Sequence, residues 1–340
     1  MIEYRPFHNT DPPKLFALWN GSELGRGAAS FVSTDALETL IFAQPYFDRN
    51  GLIVACDGSQ VVGCVHAGFG TTDDESKLSH AAGVICAVLV RPESRRRGIG
   101  RELVRRAEDY LKACGATSIQ AGSAAPRDPF YLGLYGGAAP SGFLESDPAA
   151  APFFEAVGYE AFQRHQIYRC DLNKQTVPIS FRLMTIRRKT ELRVVSQPVP
   201  LTWWWATRLG RLDTLRFLLV PKQGGESLAS MTVLGLDHYL TKWQVRTIGM
   251  TELFVPEQQR RQGFGQALIL AVGRRLREEL VIHVECHAPT ENAAAIGLLE
   301  SCSFQQIDTG VVFRRIDFNL NPDAENAVAA DGHSQTPPGD

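Results

Sequence analysis

The sequence predicts an α/β fold made of two tandem domains, each a mixed sheet with helices on its faces, and three observations predict it. At 340 residues the chain exceeds one ordinary core and suits two of roughly 150 residues each. The succession of strand, hairpin, strand, glycine turn and amphipathic helix occurs twice. The apolar helix positions Ile99, Leu103, Ala107 and Leu111 recur as Phe264, Leu268, Val272 and Leu276, 165 residues later in every case. A period of that size marks a duplicated domain rather than a solenoid. The expected layout is a first domain over 1–172, a linker over 173–180, a second domain over 181–320 and a disordered tail over 321–340, which lacks any apolar period.

The elements follow in order. An extended stretch at 2–7 precedes amphipathic helical stretches at 13–19 and 34–42. Strand-like runs at 52–56 and 61–67 are joined by Asp57-Gly58-Ser59-Gln60, a hairpin signal because Asp-Gly readily takes the positive φ of tight turns. The continuously apolar run 84–90 predicts a buried strand. Arg95-Arg96-Arg97-Gly98-Ile99-Gly100 then opens a helix whose four-residue apolar spacing keeps one face on the sheet. Gly115 ends it, and 118–121 is another strand. A Gly/Pro/Tyr-rich stretch at 126–142 breaks regular structure before a short helix around Phe153 and strands at 160–163 and 166–171. In the second half, runs at 217–220 and 229–236 bracket Gln223-Gly224-Gly225-Glu226, and 252–255 leads into Arg260-Arg261-Gln262-Gly263-Phe264-Gly265.

Composition narrows the function. Hydrophobic residues at 44% and charged residues at 21% are globular values. A net charge of -2 gives no general electrostatic case for nucleic acid or an anionic membrane, so neither partner is expected. The N-terminus lacks the pattern of a signal peptide and no apolar run approaches the ~18 residues of a membrane span, so a cytoplasmic protein is expected. Seven cysteines with no C-x-x-C pair read as reduced core residues. His283, Cys286 and His287 are no metal site if they lie on a strand, because Cys286 then points away from both histidines. No metal is expected.

A strand running through a glycine turn into a helix N-terminus is an anion site, because unpaired N–H groups and the helix dipole converge there. Gly98 and Gly100 let a pyrophosphate approach the backbone, and flanking arginines attract it. Leu103 and Leu268 stand where a dinucleotide-binding G-x-G-x-x-G would need its last glycine. Neither copy has the Gly-Lys-Ser/Thr of a P-loop. The segments from Val90 to Gly100 and from Val255 to Gly265 resemble the acyl-CoA pyrophosphate motif of the GNAT N-acetyltransferase superfamily. The helix led by Asn292 and ending near Phe304 resembles that family's second motif, and the stretch from Asp147 to Tyr159 fills the role in the first copy. The tandem arrangement is also similar to that of mycothiol synthases, in architecture alone.

The resemblance implies two GNAT-like acyl-CoA N-acyltransferase domains, each with a V of parted strands that admits the pantetheine arm of acetyl-CoA, the expected acyl donor. Donor-binding positions are then Leu89, Val90, Arg95, Arg96, Arg97, Gly98, Ile99 and Gly100 in the first copy. In the second they are Phe254, Val255, Arg260, Arg261, Gln262, Gly263, Phe264, Gly265 and Asn292. Backbone N–H groups near Leu89 and Phe254 would hold the thioester carbonyl. Glu252, three residues before the end of its strand, is the candidate base for the acceptor amine of a small molecule, peptide or protein. Ala87 stands at the matching site of the first copy. Phe154 and Leu299 replace the tyrosine that many family members use as an acid, and neither can donate a proton.

Three further features call for roles. The extra residues of the first copy include Phe130-Tyr131-Leu132-Gly133-Leu134-Tyr135, an aromatic loop expected either over the acceptor channel or against the neighbouring domain, with Tyr131 or Tyr135 as a substitute acid. Trp203-Trp204-Trp205 cannot all face one core, so at least one meets the other domain or a ligand. Arg187-Arg188-Lys189 is a solvated surface run. The expected function is acetyl-CoA-dependent N-acetyltransfer to an amine. The alternative is an acyl-CoA-binding or sensor protein in which one or both copies lost catalysis.

Overall fold

A computed structural model describes residues 1–198 and 201–318; the expectation of a disordered tail lies outside the described residues. The first half runs β1 (Ile2–Pro6), α1 (Pro12–Asn20), α2 (Asp35–Leu37), β2 (Leu52–Asp57), β3 (Gln60–Thr71), β4 (Leu78–Val90), α3 (Ile99–Ala113), β5 (Ser118–Ala121), β6 (Phe143–Leu144), α4 (Ala150–Ala156) and β7 (Tyr159–Asp171). The second runs α5 (Phe181–Lys189), β8 (Thr190–Val195), α6 (Trp203–Arg208), β9 (Thr214–Pro221), β10 (Ala229–Gly235), α7 (Leu240–Trp243), β11 (Thr247–Phe254), α8 (Phe264–Glu278), β12 (His283–Pro289), α9 (Ala293–Glu300) and β13 (Gln305–Arg315).

The predicted apolar stripe is the one that forms: Ile99, Leu103, Ala107 and Leu111 of α3 are buried against the sheet, as are Leu268, Val272 and Leu276 of α8. Two boundaries differ from the sequence reading. The helix opens at Ile99 rather than in the arginine run, because Arg96 and Gly98 both take positive φ and break the helical path. The strands expected at 160–163 and 166–171 are one strand, β7, because its backbone is paired to β13 on one side and β12 on the other through the intervening His165. The sequence reading also missed α5, whose last turn holds the exposed Arg187, Arg188 and Lys189.

All strands join one 13-stranded sheet, with a main order β1-β2-β3-β4-β5-β13-β7-β12-β11-β10-β9-β8 and β6 on β13. The order is pseudo-symmetric about the β13/β7 pair, and the closing strands are exchanged: β7 hydrogen-bonds to β12, and β13 to β5. No break separates the repeats. A single cooperative unfolding transition is therefore expected in calorimetry, even though the length would suit two independent units; two resolved transitions would contradict the shared sheet. Among the described residues no helix is long and apolar enough to cross a membrane.

Candidate active site

In each repeat two adjacent parallel strands part. β4 and β5 are paired from Ala82/Ser118 to Ile85/Ala121, after which β4 continues to Val90 paired with β3 only. β11 and β12 are paired from Thr247/His283 to Met250/Cys286, and β11 continues to Phe254. Just beyond each pairing the long strand bulges against its antiparallel neighbour, between His66 and Ala67 in β3 and between Ser230 and Thr232 in β10. A bulge leaves backbone groups without ladder partners, and Glu252 sits on one, at φ 51°.

The glycine turns follow at the ends of these strands with near-identical geometry. Gly98 and Gly263 cap their helices at φ 80° and 91°, and Arg96 and Arg261 take φ 64° and 61°. Left-handed arginines cost strain that persists where surrounding structure fixes it, commonly at functional sites. The earliest helical hydrogen bonds are Glu102 N to Gly98 O (3.1 Å) and Ala267 N to Gly263 O (2.9 Å). The N–H groups of Ile99, Gly100 and Arg101, and of Phe264, Gly265 and Gln266, thus have no intrahelical acceptor. The closing helices reach the same spot: a Cβ on Gly100 would meet Phe153 of α4 at 3.0 Å, and one on Gly265 would meet Leu298 of α9 at 3.1 Å.

The arginines divide. Arg95 Nε donates to Val90 O (3.1 Å) and its Nη2 to Ser22 O (2.7 Å); Arg260 Nε donates to Val255 O (3.1 Å). These two brace the turns; Arg97 pairs with Asp57 (3.4 Å) and Gln262 Nε2 donates to Gln258 O (2.8 Å), which leaves Arg96 and Arg261 exposed and without a side-chain partner among the described residues. The surroundings differ. A Cβ on Gly98 would meet nothing within 4 Å, whereas one on Gly263 would meet Arg182 Cδ at 3.1 Å and Ile186 at 3.3 Å, both on α5. Asn292 caps α9, its Oδ1 accepting from Ala295 N (3.0 Å).

The faces opposite α3 and α8 separate the repeats. By strand register, Arg216, Ser230 and Thr232 of the second correspond to Leu52, Cys64 and His66 of the first; Glu252 lies in the bulge without a register partner and matches Ala87 by the 165-residue repeat. The first set is closed over. Phe130 and Tyr131 are buried beside Ala87 and Leu89 in one cluster, Phe130 packs at a tilt against His66 with ring centroids 4.2 Å apart, and Tyr131 Oη lies 3.2 Å from His66 Nδ1. Burial pushes His66 down to about 3 and Tyr131 well above its usual 10, a poor setting for proton donation. Of the two placements the sequence allows, over the acceptor channel or against the neighbouring domain, the loop combines a filled groove with a domain contact: Phe130 and Tyr131 occupy the space beside Ala87, and Leu132 packs on Trp205 and Leu209 of the second repeat.

In the second set Ser230 and Thr232 are buried, while Arg216 and Glu252 line open space. Glu252 lines a cavity of about 390 Å³ with Thr202, Trp205, Arg216, Phe254 and, from the β3–β4 loop of the first repeat, Glu75. Its Oε2 accepts from Thr232 Oγ1 (2.5 Å), Trp205 Nε1 (3.1 Å) and Arg216 (3.2 Å), while its side chain stays 34% exposed. The tryptophans take separate duties: Trp203 and Trp204 contact Tyr46 of the first repeat and Trp205 turns to Glu252. Arg208 of the same helix is paired with the buried Asp128 of the insert. His287 faces Ser141 Oγ (2.7 Å) while Cys286 is buried in the core cluster opposite, and among the described residues no group of three or more potential ligands could hold a metal.

A wedge of parted strands, a bulge beside it and a bare helix N-terminus at its mouth, present twice, define an acyl-CoA acyltransferase fold. The sequence matches the Acetyltransferase (GNAT) family over residues 22–135 and the FR47-like protein family over 237–313. The chain belongs to the GNAT superfamily and is a tandem member of it. Its fold is similar to that of a tandem GNAT protein from the clavulanic acid biosynthesis pathway, at 19% identity and TM-score 0.64 over 92% of this chain and 98% of that one. It is also similar to the GCN5-related glucosamine N-acetyltransferase region of a fungal multi-domain GH3 β-N-acetylglucosaminidase, at 16% identity and TM-score 0.67 over 92% of this chain and 38% of that one. A GCN5-related N-acetyltransferase from Sphaerobacter thermophilus shows 14% identity and TM-score 0.58 over 92% and 95%. No curated protein matches. Family and fold together support acyl-CoA-dependent N-acyltransfer in general.

Proposed function

We propose that the second repeat transfers an acetyl group from acetyl-CoA directly to an amine acceptor, and that the first repeat holds acyl-CoA without an acceptor site of its own. The observation that carries this reading is the contrast between two equivalent faces: an open cavity around Glu252 and a packed one around Ala87. The N–H groups of Phe264 to Gln266 would take the pyrophosphate, with Arg261 and Gln262 alongside and Arg182 adding a positive charge from α5. Unpaired backbone N–H at the bulge would polarise the thioester carbonyl. Three donors fix Oε2 of Glu252, so Oε1 is the atom positioned to receive the acceptor's proton as its nitrogen attacks. The C–N bond forms, the C–S bond breaks, and the leaving thiolate, with an ordinary pKa of about 8.5, takes a proton from water or from the new ammonium.

A thiol-release assay with acetyl-CoA and a panel of amines tests the activity, and CoA binding with no turnover on any amine would favour the sensor reading. Stoichiometry tests the division of labour. Gly98→Val and Gly263→Val each force a branched side chain into a left-handed turn at an anion site. Each is expected to reduce acetyl-CoA bound in calorimetry from two equivalents to one, and only Gly263→Val should abolish turnover. Loss of turnover with Gly98→Val alone would reverse the assignment.

A further inference from the structure

We propose that Glu75, from the β3–β4 loop of the first repeat, is a specificity residue of the second repeat's acceptor site and selects an acceptor carrying a second positive charge. The proposal rests on the transferase reading of that cavity. Glu75 belongs to the opposite half of the chain, yet it forms one wall of the cavity that contains Glu252. Its backbone is held at φ 54°, with its N–H donating to Thr72 O (2.9 Å), so the loop presents the side chain in one direction. Thr202 Oγ1 donates to Glu75 Oε2 and accepts from Trp205 N (3.1 Å), and the indole of Trp205 donates to Glu252. One threonine at the N-cap of α6 therefore ties the position of Glu75 to the helix that orients Glu252.

Charge decides what the cavity is built for. It contains two carboxylates and one guanidinium, and Arg216 is engaged by Glu252, Ser230 and Thr232. Glu75 makes no ion pair among the described residues. The reacting amine must be neutral as it attacks and occupies Glu252. An acceptor with one nitrogen leaves Glu75 without a counter-charge; a second ammonium, separated from the first by an aliphatic stem along the Trp205 and Phe254 side chains, supplies it. Phe254 is 54% exposed at this wall. The substrate class is thus a diamine or a larger amine with a distal cationic group.

The test uses the full chain and two matched probe series, α,ω-diaminoalkanes from propane to decane and amino alcohols of equal length. The wild-type protein is expected to favour a diamine of one preferred length over its amino alcohol by about tenfold or more in kcat/KM. Glu75→Gln should erase that preference by raising KM for diamines far more than for amino alcohols, with acetyl-CoA affinity retained. Equal treatment of both series by the wild type, or a Glu75→Gln effect shared equally by both, would overturn the proposal while leaving the transferase reading intact. Calorimetric binding of the same probes in the presence of CoA separates the two ideas when nothing turns over. Diamine binding lost in Glu75→Gln would then uphold the recognition role and sink catalysis, and no diamine binding at all would sink the recognition role.

Discussion

Glu252→Gln is expected to lower kcat for acetyl transfer by about a hundredfold to ten-thousandfold, the span usual for removal of a positioned base, while acetyl-CoA binding changes little. Gln keeps the shape and can still accept from Thr232 and Trp205, so the bulge need not rearrange. What it loses is the ability of Oε1 to take a proton. The acid limb of the pH–rate profile should disappear with it, which a purely structural role for the carboxylate would not produce. Initial rates across pH with wild-type and variant protein provide the measurement, and an unchanged kcat would remove Glu252 from the chemistry.

The second large effect concerns stability at the seam between the repeats. Glu285 is fully buried on β12 and is met by Arg26 (3.0 Å), Arg169 (2.8 Å), His287 (3.3 Å) and the N–H of Ala138 (3.2 Å). Gly137 takes φ 91°, and a Cβ there would overlap Glu285 Oε1. Gly137→Ala therefore combines a left-handed backbone penalty with displacement of a buried, charge-paired carboxylate, and is expected to cost about 3–5 kcal/mol, read from denaturant unfolding. Burial by itself would raise the carboxyl of Glu285, but His287, Arg26 and Arg169 outweigh it and hold it down to about 2, from an ordinary 4.5. The sign follows: its stabilisation is complete above pH about 4.5 and is lost as pH falls toward about 2. Glu285→Gln should flatten the melting-temperature profile across that window; an unaltered profile would show that the pairing contributes nothing.

What the sequence disclosed was whatever repeats in a local window. The 165-residue recurrence of Ile99 and Leu103 as Phe264 and Leu268 located both helices and both turns, because amphipathic spacing and a glycine turn are properties of neighbouring residues. Glu252 is named as a candidate by the family resemblance, since members often carry a glutamate near that strand end, and local spacing by itself would not have chosen it. Glu75 was not legible, since an acidic residue in a loop acquires meaning only when the other half of the chain folds against it. The filling of the first groove was half legible: the aromatic insert was visible, but whether Phe130 and Tyr131 lie over a channel or inside it depends on His66 and Ala87 beneath them. Arg95 shows the opposite limit, because its charge suggested a phosphate ligand while two carbonyls already claim its guanidinium.

The exchange of closing strands has a consequence for how the clefts are shaped. The inner arm of the second wedge, β12, is held on its far side by β7, and the inner arm of the first, β5, by β13. Each opening therefore takes its width from a strand encoded in the opposite half of the chain. A substitution along β7 that leaves its own half folded would be felt some distance away, in how tightly the other half grips its thioester.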